Sequence, residues 1–490
     1  MADTNQELDI ELIKKRAVSG IITFTLRTFF IQAYTFFATF ILTILIAPEI
    51  FGIYFVVTAI INLFIYFSDV GLAAALIQKK QEPTREDLVT TFTIQQVIII
   101  ALIVLGLAFS NSIARFYGLD NSGLMLMRVL IFSLFLSSLK TIPSVLLERH
   151  LSFTRFVIPQ VAENFVFYTL TIILAFLNFG LESFIWAVLA RGIVGLVLIY
   201  ALSPWKPALG FEMRSAKRLV SFGIPFQLNS IIALIKDDLL VVFLGKILPF
   251  AQVGYIGWAQ RFAFVPLRFV MDNVIKVTFP AYSRFQHDIR QLSAAIEKSI
   301  FFVALTVFPI VTGMVAISSR VISTIPNYGK WEPAIPLLYF FAINAMFAAV
   351  NTTLTNTLFA IGKPNIVLKL MVFWTTMTWV LTFAFVKYFG FIGVAAASAV
   401  VAASTSIIIY FVKKEFKVAI LKNIYAPLIA SLIMLALIRY FDHILPPGYP
   451  GLVIQIVLGI AVYFGIMILL IGARLLESLR IVFASIRAID

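Results

Sequence analysis

The chain has 490 residues, of which 61% are hydrophobic and 13% charged, with a formal net charge of +14 and no cysteine. Soluble domains carry about 25% charged residues, so a soluble enzyme is excluded. The missing cysteines exclude disulfides, thiolate metal sites and cysteine nucleophiles, and the positive charge reads as the loop bias that orients a membrane protein rather than as a nucleic-acid surface.

Residues 1–16 are polar and end in Lys14, Lys15 and Arg16. The apolar stretch that follows is too long for a signal-peptide core and lacks a small-x-small cleavage site, so it is expected to stay as a first membrane helix. Further apolar runs follow: 17–47, 50–78, 88–110, 122–147, 154–178, 182–203, 218–247, 252–279, 299–325, 334–360, 366–387, 391–412, 421–441 and 451–472. About 20 apolar residues cross a bilayer, so the expectation is an all-α polytopic membrane protein with about 14 spans. Barrel strands would alternate in polarity, and these runs are continuous.

With the N-terminus placed in the cytoplasm, 23 Lys and Arg residues of the connections and ends fall inside and 6 outside. This bias predicts an even number of spans and two cytoplasmic termini. The connection 204–217 is basic and contains proline. It separates an N-terminal lobe (1–203) from a C-terminal lobe (218–412), with two more spans and a tail in 413–490. The segment 281–298 reads as an amphipathic helix on the cytoplasmic surface. No loop is long enough for a soluble catalytic domain.

The two lobes look related. Gly52 in APEIFGIY aligns with Gly254 in LPFAQVGY at an offset of 202, Asp69 with Asp272 at 203, and NFG (178–180) with YFG (388–390) at 210. Even offsets of this kind predict a parallel repeat of six helices about an axis along the membrane normal, an arrangement used by alternating-access transporters. Chance matches among glycine turns are the competing reading.

Charged residues inside the runs carry the functional signal. A cation at mid-bilayer costs at least ~2.5 kcal/mol and persists where it faces protein or water. Arg27, Lys140, Arg191, Lys236, Arg261 and Arg268 all lie within apolar runs. Such a set suits an anionic substrate. In span 252–279, Arg261, Arg268, Asp272 and Lys276 fall within an arc of roughly 80° at 100° per residue. Either that stripe faces a cavity or its members pair at i,i+4. Lys236, Asp237 and Asp238 form either a structural ion pair or a gate. Glu163 can pair with Arg27, Lys140 or Arg191, or serve proton or Na⁺ coupling. Asp69, near the interface, has a structural or a gating role. Asn344, Asn351 and Asn356 suit interhelical hydrogen bonds. No metal spacing, P-loop or Gly-x-Ser-x-Gly elbow occurs, so no cofactor and no catalytic residue is expected.

FGIYFVVTAIINLFIYFSDVGLAAALIQKKQEPTREDLVTTF (51–92) and VGYIGWAQRFAFVPLRFV with FPAYSRFQ (253–286) resemble the bacterial polysaccharide and oligosaccharide-lipid flippases. These belong to the multidrug/oligosaccharidyl-lipid/polysaccharide exporter superfamily, and the resemblance is to the O-antigen or colanic-acid type. It implies two six-helix lobes in a V around a cationic cavity, with two additional helices. It also implies transfer of an undecaprenyl-pyrophosphate-linked oligosaccharide across the bacterial cytoplasmic membrane, with membrane lipids and polysaccharide-assembly proteins as partners. Arg27 matches the family's first-helix arginine. The alternatives are a multidrug cation antiporter of the same superfamily, which would need a net acidic cavity, and a polytopic glycosyltransferase or polymerase, which the short loops disfavour.

Overall fold

The computed structural model describes residues 27–79, 81–228 and 231–487. The Lys14–Arg16 cluster and the start of the first run lie outside them. The chain is helical throughout the described residues, with no strand. Twelve of the described helical segments are long and apolar enough to cross a membrane. Predicted spans 218–247 and 252–279 are not among the twelve. The first is divided into short pieces, and the second is the charge-bearing helix.

Contacts divide the chain into two compact units, 1–254 and 255–490. The first unit contains α1 (Arg27–Leu45), α2 (Pro48–Ser68), α3 (Leu72–Gln78), α4 (Arg85–Tyr117), α5 (Asn121–Leu139), α6 (Thr141–Arg149), α7 (Phe153–Phe176), α8 (Glu182–Leu202), α9 (Met213–Leu228), α10 (Ile231–Lys236) and α11 (Asp238–Ile247). The runs 50–78 and 122–147 were expected as single helices, and each is interrupted. Val70 and Gly71 take positive φ (48° and 73°), which breaks the α2–α3 ladder because L side chains resist that region. Lys140 sits at the α5–α6 joint.

α9–α11 pack back onto this unit. Gly245 on α11 leaves room for the Val56 side chain, and Val56, Ile60 and Val253 form a buried cluster. At the start of α12 (Phe250–Phe285) the packing is reciprocal. A Cβ at Gly52 would overlap the carbonyl of Phe250, and one at Gly254 would overlap the carbonyl of Pro48. Gly52 and Gly254 are 202 residues apart, and so are Pro48 and Phe250. The two related helix starts therefore cross at backbone contact, which only glycine permits.

The second unit holds most of α12, then α13 (Ile289–Thr324), a 3₁₀ turn at Gly329–Ala334, α14 (Ile335–Ala360), α15 (Pro364–Phe389), α16 (Ile392–Ala403), α17 (Thr405–Glu415), α18 (Ile420–Phe441) and α19 (Tyr449–Arg487), the last kinked at Ile471. The separate surface helix expected at 281–298 is not formed. α12 runs on to Phe285, and Asp288 caps the start of α13 by accepting from the amides of Arg290 and Gln291, both at 3.0 Å. Sequence polarity marked where the chain leaves the apolar zone, but a helix need not end there.

The core of this unit gathers α12, α13, α14, α15 and α17 around Val307, Val311, Ala345 and Leu354. Trp331 of the 3₁₀ turn is fully buried and stacks on Trp258 at 5.6 Å. α18 and α19 pack on α13 through Phe301, Ala430 and Met434. Arg320 of α13 staples their connecting turn, donating to Asp442 Oδ1 (2.7 Å) and to the carbonyl of Pro446 (2.7 Å). Gly451 leaves the space that the Arg320 guanidinium fills.

Candidate functional site

Three of the predicted charges meet inside the first unit. Glu163 lies ten residues into α7 and Arg191 nine into α8, about 15 Å and 14 Å along each axis at 1.5 Å per residue. Lys140 enters from the α5–α6 joint. Its Nζ is 2.6 Å from Glu163 Oε1, and Arg191 Nε is 3.8 Å from Glu163 Oε2. The Lys140 and Glu163 side chains are 17% and 15% exposed, while Arg191 is 50% exposed. The Arg191 guanidinium also lies over the Phe167 ring, 5.7 Å from its centroid, a cation–π arrangement.

Two glycines on α8 make this possible. A Cβ at Gly195 would overlap the Glu163 carboxylate, and one at Gly192 would press on Leu136 of α5. α8 therefore offers a notch into which the carboxylate fits on its way to Lys140. Gly195 was absent from the sequence reading. The spacing of Arg191, Gly192 and Gly195, a cation beside small residues, was the available signal.

α1 borders the same helix. Tyr34 bonds the hydroxyl of Thr169 at 2.7 Å, and Thr35 donates to Asn164 Oδ1 at 3.0 Å. Arg27 is half-buried, and its Nε is buried with no hydrogen-bond partner among the described residues. The ion-pair partners of Glu163 among the described residues are Lys140 and Arg191, not Arg27. A buried donor left unpaired costs roughly 1–3 kcal/mol.

The remaining predicted residues are placed differently. Asp69 caps α3: both of its carboxylate oxygens accept from the Ala73 amide at 3.3 Å. Asp238 accepts from Asn62 Nδ2 at 2.8 Å, which ties α11 to α2. Lys236 ends α10 and is half-buried, and Asp237 is the exposed residue at the α10–α11 break. In the second unit Arg261 is half-buried, and Arg268, Asp272 and Lys276 are exposed along α12. Asn344 donates to Ser398, and Asn356 donates to Thr278 Oγ1 at 3.1 Å. The Oδ1 of Asn351 is buried without a partner among the described residues.

A second ionic centre escaped the sequence reading. Asp87, with a side chain 0% exposed, receives Lys79 and Arg218 together with the Ser215 hydroxyl (2.8 Å) and the Thr84 amide (2.9 Å). It closes a capping box with Thr84 at the start of α4. The connection 204–217 is laid along α4 by the same face. The amides of Gly210 and Glu212 donate to Thr93 and Thr90, each at 3.0 Å, and Trp205 meets Phe92 edge to face at 5.0 Å. The capping signal Thr-x-x-Asp was present at 84–87, but the partners come from positions 8 and about 130 residues away.

A family model described as "Polysaccharide biosynthesis protein" matches residues 41–336. The chain belongs to this polysaccharide biosynthesis protein family. It is similar to the succinoglycan biosynthesis transport protein ExoT of Rhizobium meliloti, at 23% identity over 454 residues and 90% of each chain. It is also similar to the lipopolysaccharide biosynthesis protein WzxC of Escherichia coli, at 26% identity over 172 residues and 35% of each chain. The structure of the lipid II flippase MurJ in its inward closed conformation superposes with a TM-score of 0.74. That match covers 93% of this chain and 100% of that one at 18% identity, so the fold is shared. Family membership, the fold and twelve candidate spans make this a multi-pass membrane protein of polysaccharide biosynthesis with the architecture of flippases.

Proposed function

We propose that the protein is a flippase that moves an undecaprenyl-pyrophosphate-linked oligosaccharide across the bacterial cytoplasmic membrane by alternating access, with both termini cytoplasmic. The observation that carries this reading is the Lys140–Glu163–Arg191 cluster near the middle of α7 and α8. It supports an anion site because two cations at that depth exceed the one carboxylate that pairs with them. An isolated buried cation would be costly, so an excess of cations favours an anionic ligand. Arginine suits a diphosphate because its planar fork matches two phosphate oxygens, and lysine adds a compact charge. Arg27, with its unpaired Nε, supplies a further donor in the first unit, and the second unit carries its own cations at Arg261 and Arg268. The relatives support the same reading, since ExoT is named a transport protein and MurJ a lipid II flippase. No catalytic residue or cofactor enters the proposal, and proton or Na⁺ coupling would supply the driving force. An organic-cation antiporter would need the opposite balance of charge at this depth.

The test is export of lipid-linked glycan in cells that depend on this protein. Arg27→Ala and Arg261→Ala should each abolish export while the protein remains in the membrane at normal amount. Normal export by both variants would reject the proposal.

A further inference from the structure

We infer that Glu163 is a resident counter-anion, holding Lys140 and Arg191 in place until the diphosphate of the substrate replaces it. The inference rests on the anion site proposed above and assigns that site a built-in competitor. The geometry is that of an occupied anion site. Each carboxylate oxygen of Glu163 takes one cation, Oε1 from Lys140 at 2.6 Å and Oε2 from Arg191 at 3.8 Å. A diphosphate presents the same pair of acceptors with more charge.

The pairing is uneven. Lys140 makes a close contact between two largely shielded side chains. Arg191 offers a single nitrogen at long range, is half exposed, and makes no hydrogen bond among the described residues. A guanidinium has five N–H donors, so nearly all of its capacity is open to an incoming anion. The Gly195 notch permits the carboxylate to lie against α8, where a side chain of any size would exclude it. Lys140 sits at a helix joint with its backbone N–H bonded to the Ser137 carbonyl and its carbonyl to the Ser144 amide, so its ammonium follows a new partner by turning the side chain.

Displacement has a consequence for charge. Among the described residues, the charged groups paired with Glu163 are Lys140, from the α5–α6 joint, and Arg191, from α8. From α1 the neighbours are neutral: Thr35 bonded to Asn164, and Tyr34 bonded to Thr169. Once both cations have turned to the diphosphate, the carboxylate is left at mid-span without a counter-charge. A proton from the aqueous side then neutralises it, because a bare ion in a low-dielectric setting is unfavourable. Binding of the lipid diphosphate and uptake of one proton become a single exchange, reversed on release; a proton carried outward in this way does not drive transport, so the coupling ion of the proposed cycle enters by a separate step.

The full chain in lipid nanodiscs, titrated calorimetrically with farnesyl diphosphate in two buffers of different ionisation heat, tests this exchange. Wild type should take up close to one proton per diphosphate bound. Glu163→Gln should bind about tenfold more tightly with almost no uptake, and Lys140→Ala should bind at least tenfold more weakly. Inorganic pyrophosphate should compete with the probe, and binding that pyrophosphate does not displace would overturn the inference by placing recognition on the tail. Equal affinity and equal uptake in wild type and Glu163→Gln would overturn the inference and leave the flippase proposal standing. Failure of wild type to bind the probe would overturn both. Should Glu163→Gln not fold, the proton count of wild type decides alone, since binding without uptake rejects the exchange.

Discussion

The two units use charge in different ways. In the first, carboxylates are drawn inside and surrounded: Glu163 by Lys140 and Arg191, Asp87 by Lys79 and Arg218. In the second, the core is apolar, the crossings Asn344–Ser398 and Asn356–Thr278 are neutral, Arg439 of α18 bonds neutral partners (Ser319 and Tyr339), and the α12 charges Arg268, Asp272 and Lys276 are exposed. Its ion pairs among the described residues, Arg320–Asp442 and Lys363–Glu415, join turns and helix ends and not the core. The Gly52–Gly254 crossing lies within the first unit, and the sequence likeness at offsets near 202 does not carry over into side-chain chemistry. Asp69 ends α2 and caps α3, whereas its counterpart Asp272 lies within the uninterrupted α12. Equivalent positions were free to diverge because a glycine crossing fixes where helices touch while leaving their other faces unspecified.

That contrast can be broken at its most ionic point. Asp87→Asn leaves Lys79 and Arg218 around a fully shielded site and frees the connection 204–217. Removing one partner of a buried pair costs about 3 kcal/mol or more. The thermal midpoint of the purified protein should fall sharply, far beyond the effect of Asn356→Ala in the second unit, where a membrane hydrogen bond is worth about 0.6 kcal/mol. Comparable losses in the two variants would erase the distinction between the units.

Gly254→Ala tests the glycine crossing. The added methyl must displace the Pro48 carbonyl, and overpacking of this kind costs about 1–3 kcal/mol. Gly52→Ala should lower the thermal midpoint by a similar amount, and the double variant should cost less than the two singles combined, since both open one crossing. A smaller change is expected from Arg320→Ala, which releases the 442–446 turn at roughly 1–2 kcal/mol. Limited proteolysis between α18 and α19 should then accelerate while the first unit keeps its cleavage pattern.

The smallest effect lies at Asp288. The Gln291 amide holds this carboxyl below the usual aspartate range; desolvation opposes it, and the Gln291 side chain, the Arg290 amide and the Arg290 charge add to the lowering. Because its value in the folded state is depressed, the stabilisation is present above the unfolded value near 3.8 and fades as pH falls through the folded value. Asp288→Asn should flatten this acid limb of the stability curve, lying slightly below wild type at neutral pH and converging on it in acid. An identical acid limb in both proteins would remove the charge of the cap from the account.

Much of the architecture was legible from composition and run length. Continuous apolar runs can be satisfied in a bilayer only as helices, so the all-α membrane fold followed from residues alone. The offset of 202 between Gly52 and Gly254 was equally readable, because backbone contact demands glycine and leaves a mark in the sequence. Lys140, Glu163 and Arg191 were recognisable one by one, since a charge in an apolar run is conspicuous. Their partnership was not, because residues 23 and 28 positions apart meet only when α5, α7 and α8 pack. Asp87 shows the same limit more strongly: it sits among ordinary polar residues at a helix start, and its burial is created by a connection more than 100 residues later. The helix joints at Asp69–Gly71 and Lys140 were hidden too, since hydropathy reports where a chain is apolar and not where its hydrogen-bond ladder breaks. What the sequence alone determined was which residues are too expensive to be incidental. Tertiary packing alone decided which of them neutralise one another, because that depends on distances between helices that no local pattern encodes.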